Sequence, residues 1–350
     1  MTFITRRTAM MLALVLWILS VPLACLFGPM ELAPMQVLRL LGAAGGLVSA
    51  DGLDPAQLLV VGDLRLARVV LALLAGGGLA VAGVVFQGVL RNPLADPFTL
   101  GVSGGAAFGA SVAITFGASL PMTLVPALLR GAGIVTPAAL AGALLALGMV
   151  LLLGRSGGGF RRETVVLAGV VTATFLSALV SLVKALDEES VSSIVFWIMG
   201  SFQGRGWRHV LMLLPPMGLG MALIARHTRE LDILTLGDTQ ARQLGMDSGK
   251  VRLLLLAGAS LVTAGCVAVS GVIGFIGLII PHVMRLFLGA AHGPLLPAAW
   301  LGGGILLLWS DVLARTMLPG GMELPVGVVT ALLGGPFFCL LLHRTGKERP

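Results

Sequence analysis

LLLLAGASLVTAGCVAVSGVIGFIGLIIPHVM, residues 253–284, contains no Asp, Glu, Lys or Arg across 32 consecutive positions. Its apolar residues run on without the alternation of a half-buried strand, which selects helix over barrel strand. The hydrocarbon core of a bilayer takes about 20 helical residues, so the run is too long for one crossing. It breaks around Ser270-Gly271-Val272-Ile273-Gly274 and reads as two spans, the second continuing past Arg285.

Working outward, charge-free runs also lie at 8–30, 69–90, 97–129, 131–154, 164–183, 209–225, 286–310 and 324–343, which brings the predicted total to ten spans. The fold class expected is an all-α polytopic membrane protein forming one domain over residues 1–350. Composition agrees: 57% of residues are apolar and 11% charged, with a mean hydropathy of +1.01. Soluble domains carry about 25% charged residues. The net charge of +7 then reads as a Lys/Arg bias in cytoplasmic loops rather than as a nucleic-acid surface.

The stretch Thr8–Met30 is 23 residues long, enough to cross a bilayer and longer than the apolar core of a secretory signal. Pro22-Leu23-Ala24-Cys25 makes a poor lipoprotein box, because Pro replaces the aliphatic residue. The segment is expected to be an uncleaved first span. Cys25, Cys266 and Cys339 sit in apolar runs without metal-ligand spacing, so neither a zinc site nor a disulfide framework is expected.

An even number of spans puts both termini on one side. With that side cytoplasmic, the inner segments hold fifteen of the 23 Lys and Arg residues, in line with the positive-inside rule. The apolar stretch 191–204 is too short to span and follows Asp187-Glu188-Glu189, so an interfacial or re-entrant helix at the outer mouth is expected. Glycines at four-residue spacing, in 76–83 and 101–109, suit close helix packing in lipid. No G-x-x-x-x-G-K-S/T phosphate loop is present: Gly249-Lys250 precedes Val251 and Gly346-Lys347 precedes Glu348. ATP hydrolysis by this chain is not expected.

Three segments carry a resemblance: Arg65-Leu66-Ala67-Arg68 followed by QGVLRNPLADPFTLGVS (87–103); LGDTQARQLG (236–245); and GFIGLIIPH (274–282) through Asp311 to ELPVGVVTALLGGPFF (323–338). In this order the chain, most strongly over 60–342, resembles the FecCD/BtuC-type permeases of ATP-binding-cassette importers for iron–siderophores, haem and cobalamin. The resemblance implies a ten-helix permease working as a homodimer. It implies two separate ATPase subunits that hold ATP and Mg, and a periplasmic or lipid-anchored binding protein. No cofactor and no nucleic acid on this chain are implied.

The residues fit that picture physically. Asn92-Pro93 and Asp96-Pro97 disfavour helix and close span two. In the 27-residue loop 226–252, a helix starting near Asp238 is expected to put Ala241, Leu244 and Gly245 on one side, with Arg242 one turn from Asp238. By resemblance this is the segment seated on the ATPase: Leu236, Gly237, Asp238, Ala241, Arg242, Leu244 and Gly245. Arg65, Arg68 and Arg315 fall at the outer face, where the resemblance implies pairing with glutamates of a binding protein. Arg161, Arg162 and Glu163 precede span five, at the position of the family's cytoplasmic gate. His282 has no second ligand at metal spacing. An ion-coupled secondary transporter is the competing reading, but it requires ionisable groups at mid-membrane.

Overall fold

The computed structural model describes residues 6–117, 133–155 and 162–347, and all regular structure among them is helical. The chain opens with α1 (Arg6–Leu26), α2 (Pro34–Ala44) and α3 (Pro55–Leu59), then a π-helical turn at Val60–Arg65 that runs directly into α4 (Leu66–Leu90). A 3-10 turn at Pro97–Leu100 leads into α5 (Val102–Phe116), followed by α6 (Val135–Gly154), α7 (Arg162–Leu186), the short α8 (Val191–Ile198) and α9 (Trp207–Arg226). Next come α10 (Thr228–Leu236), α11 (Asp238–Gln243), α12 (Ser248–Ser270), α13 (Ile276–Leu288), α14 (His292–Thr316) and α15 (Val326–Lys347).

Seven helices among the described residues are long and apolar enough to cross a membrane, and three shorter apolar helices (Val102–Phe116, Ile276–Leu288 and Val326–Leu340) accompany them. Each coincides with one of the ten predicted spans. The span expected over 97–129 is described only as far as Gly117.

Local chemistry explains the breaks. α4 ends because Arg91 adopts a left-handed conformation (φ 49°) and Asn92 Oδ1 accepts the Leu94 N–H at 2.9 Å. Asp96 Oδ1 then caps the 3-10 turn through Phe98 N at 2.9 Å, while Asp96 N donates to Thr99 Oγ1 at 3.1 Å, the reciprocal arrangement of a capping box. The long run opened above breaks at Gly271 (φ 73°), whose carbonyl-rich surroundings leave no room for a side chain: a Cβ there would strike the Trp197 carbonyl.

The continuous helix through Pro55–Leu90 is the axis of the bundle, 89% buried in its most apolar window against 17% for α1. α14, α12, α13 and α9 pack around it. Close approach depends on glycine: a Cβ on Gly76 would overlap the Gly303 carbonyl, and one on Gly83 the Gly277 carbonyl. α5 and α6 meet the same way through Gly105 and Gly142. Ala24–Leu26 of α1 lie at the end of the bundle that carries α2, α3 and α8, and α15 departs from that end. Arg6 and Lys347, the first and last described residues, therefore lie toward the opposite end, which carries α10 and α11.

Candidate functional site

At the α2–α3 end the chain gathers its charged side chains inside the bundle. Arg68 Nε donates to Asp311 Oδ2 at 2.9 Å and Nη2 to Oδ1 at 2.8 Å, and Nη1 donates to Glu323 Oε1 at 3.1 Å. Asp311 is fully buried. Arg315, one turn further along α14, stands 3.7 Å from Asp311 Oδ2 and donates to the Ala24 carbonyl at 3.0 Å. Arg65 donates to the Cys25 carbonyl at 2.9 Å and to that of Met30. Burial of this many charges is tolerated because each has a partner or a carbonyl. A cavity of about 340 Å³ is bounded by Arg65, Arg68, Arg205, Arg315 and Glu323.

Arg65, Arg68 and Arg315, expected at the outer face, do lie together at one end of the bundle, but their guanidinium groups are held by partners inside it rather than extended into solvent. The helix does not stop at Arg68, because the two carboxylates of α14 and the loop after it neutralise the guanidinium within the bundle. All three arginines are directed into the protein.

At the opposite end α10 and α11 form a ledge between α9 and α12. Leu231 and Leu234 of α10 are buried. The Asp232 carboxylate accepts from His292 N at 3.0 Å and pairs with His292 Nδ1 at 2.6 Å, tying the ledge to the start of α14. Gly237 (φ 116°) turns the chain between α10 and α11. Gly245 (φ 77°) ends α11 as expected, with Met246 N bonded to the Ala241 carbonyl at 3.0 Å, a C-terminal cap that favours Gly.

Two expectations about α11 are corrected. Asp238 does not pair with Arg242; it is taken by Arg252 of α12, which is better placed because it is buried and anchored. Ala241 does not share an outward side with Leu244. It is fully buried against the bundle, while Leu236 and Leu244 are 56% and 64% exposed. Asp238, Thr239, Arg242 and Gln243 line the exposed surface between them, and Arg242 makes no ion pair among the described residues.

Near the same end Arg162 donates to the Leu90 carbonyl at 3.3 Å and pairs with Glu163 at 3.2 Å; Arg161 lies outside the described residues. His282 of α13 packs edge-on against Phe337 of α15, ring centroids 6.0 Å apart. Sequence reasoning missed Asp232–His292 and Arg285–Gln87. For Gln87 the available signal was that a polar residue within a span needs a partner; Asp232, in the loop between spans, offered none.

α7 presents an unpacked face. Leu167, Val170, Val171, Phe175, Leu182 and Leu186 are exposed, and the hydroxyl residues Thr174, Ser177 and Ser181 are exposed beside them. Thr174 and Ser181 satisfy themselves on carbonyls one turn back.

The sequence profile of the FecCD transport family matches residues 12–344. An uncharacterized ABC transporter permease protein, YvrB of Bacillus subtilis, is 42% identical over 310 residues, covering 87% of this chain and 84% of its own. The cobalamin import system permease protein BtuC of Halobacterium salinarum is 40% identical over 292 residues, covering 83% of this chain and 75% of its own. Among solved structures, one described as an inward-facing conformation of a metal-chelate type ABC transporter superposes with a TM-score of 0.81 at 31% identity, covering 97% of this chain and 99% of that one.

Proposed function

The chain belongs to the FecCD transport family, and from that premise we propose that it is the permease subunit of an importer that moves a metal chelate, iron–siderophore first, across the bacterial inner membrane by alternating access. It is not itself an enzyme; ATP hydrolysis belongs to a separate subunit of the transporter. Haem and cobalamin are the next cargoes in order.

The observation that carries the reading is the ledge of α10 and α11. It is fixed inward by Leu231, Leu234 and Ala241 and shows Leu236, Leu244 and Arg242 outward. A short, rigidly seated pair of helices with exposed leucines between two spans suits docking on an ATPase and transmission of its closure to α9 and α12. On this reading the α10–α11 end and both termini would lie in the cytoplasm, which the basic residues there support.

Two copies of the chain would form the route, with α7 and α8 along it. The row of exposed hydroxyls on α7, Thr174, Ser177 and Ser181, supports this, since it adds polar groups to one side of an otherwise apolar face. A binding protein would deliver the cargo at the α2–α3 end.

The test is uptake by proteoliposomes holding the permease with its ATPase. Accumulation of a labelled ferric siderophore that requires internal ATP and its binding protein supports the proposal. Uptake driven by a proton or sodium gradient without the ATPase would restore the secondary-transporter reading.

A further inference from the structure

Between α9 and α14, on the flank of the bundle near its α10–α11 end, lies a second cavity of about 450 Å³. Its floor is Val81 of α4, and its walls are Met221, Ile224 and Ala225 on one side and Leu296, Pro297 and Trp300 on the other. The size falls within the range of small-ligand sites, roughly 300–1,000 Å³. Ala225, Gly293 and Pro297 are exposed at its rim, so it opens sideways from the bundle. No described residue fills it, and an apolar gap flanked by spans is not a place for water.

The rim nearest the ledge is basic. Ala225 and Thr228 line the cavity, and the same turn carries Arg226 and Arg229, both exposed and neither in an ion pair with a described residue. Against them stand Glu230 on the same turn and Asp232, whose carboxylate is held by His292. The formal charges of the turn balance, and what distinguishes this rim is two exposed guanidinium groups with no carboxylate paired to them among the described residues, beside an Asp232 carboxylate already engaged by His292.

We propose that this groove is a binding site for an anionic phospholipid, one acyl chain lying between α9 and α14 and the phosphate held by Arg226 and Arg229. An apolar slot supplies dispersion contacts that bulk lipid would otherwise make only in passing. Basic clusters beside spans recruit acidic headgroups by charge, and Arg is suited to phosphate through its planar fork of donors. The inference rests on the assignment of α9 and α14 as spans and not on the cargo.

The test is native mass spectrometry of the purified permease dimer after delipidation and titration with dioleoyl phosphatidylglycerol, dioleoyl phosphatidylcholine or inorganic phosphate. One phosphatidylglycerol retained per chain at least tenfold more tightly than phosphatidylcholine, with no retention of free phosphate, is expected. The double variant Arg226→Gln/Arg229→Gln should bring phosphatidylglycerol down to the phosphatidylcholine level. Gly293→Leu should expel both, and it carries little folding risk because a Cβ there meets nothing within 4 Å. Equal retention of the two lipids by the unmodified protein, or a preference that survives the double variant, would overturn the proposal. Because no readout involves transport, failure of the importer reading would leave this result intact, and the reverse.

Discussion

Arg68 and Asp311, 243 residues apart in the chain, lock α4 to α14 through a two-pronged ion pair whose Nη2–Oδ1 distance is 2.8 Å. Removing one partner of such a buried pair leaves an uncompensated charge and typically costs about 3–5 kcal/mol. Asp311→Asn should therefore lower the unfolding temperature of the detergent-purified permease markedly, as Arg315 also loses its nearest carboxylate. Arg68→Met combined with Asp311→Leu should be milder than the sum of the single changes. Additive losses would show that the pair is not coupled. Charge reversal at Arg65, Arg68 or Arg315 is thus expected to disturb folding before it reports on any partner.

The ledge gives the second prediction. Leu236 and Leu244 are exposed and join no hydrophobic cluster among the described residues, and fully burying a leucine is worth about 1.5–3 kcal/mol. Leu236→Asp and Leu244→Asp should each weaken association with the ATPase by tenfold or more while leaving the permease folded. Ala241→Trp should instead dislodge α11, because Ala241 is 0% exposed. Copurification separates these cases: normal recovery of the permease without the ATPase is expected for the aspartates, and poor recovery of the permease itself for the tryptophan. Full ATPase retention by both aspartate variants would remove the docking role.

What the sequence made legible follows from the range of each interaction. Spans were readable one by one, because lipid imposes its length on each helix separately, even at the break after Ser270. Gly245 was readable as a helix stop for the same local reason. Arg68 was not: its partners lie in α14 and beyond, so a run of uncharged residues placed the start of the helix too late. Ala241 and Leu244 were assigned to one side, but a six-residue helix offers no periodic stripe to say which side faces the bundle. Asp232 and His292, 60 positions apart, carried no local signal of their pairing.

That pairing gives the third prediction. Asp232 is the polar tie between α10 and α14, made to both the backbone N–H and the ring of His292. Asp232→Ala leaves these buried donors without an acceptor, a cost of about 1–3 kcal/mol. If the tie passes motion from the ledge to α14, the variant should still bind and stimulate the ATPase while transporting less cargo per ATP hydrolysed. An unchanged ratio of transport to hydrolysis would reduce the pair to a stabilising contact.

Asp96, in the turn after α4, supplies a pH prediction. Burial raises its carboxyl from 3.8 to about 6, against a weaker lowering by the Phe98 N–H. In the unfolded chain the group loses its proton near pH 4, so between about pH 4 and 6 the native state binds more protons. Stability then falls as pH rises through that window, by an amount of order 1–3 kcal/mol. Below pH 4 both states are protonated and the penalty is absent. Asp96→Asn keeps an oxygen to cap Phe98 and removes the ionisation. The variant should be more stable than the unmodified protein at pH 7, and the difference should vanish near pH 4. Thermal unfolding in detergent across pH 4–7 measures this directly. A constant difference at every pH would mean that Asp96 acts only through its cap, and a less stable variant at pH 7 would mean that the carboxylate is charged and partnered.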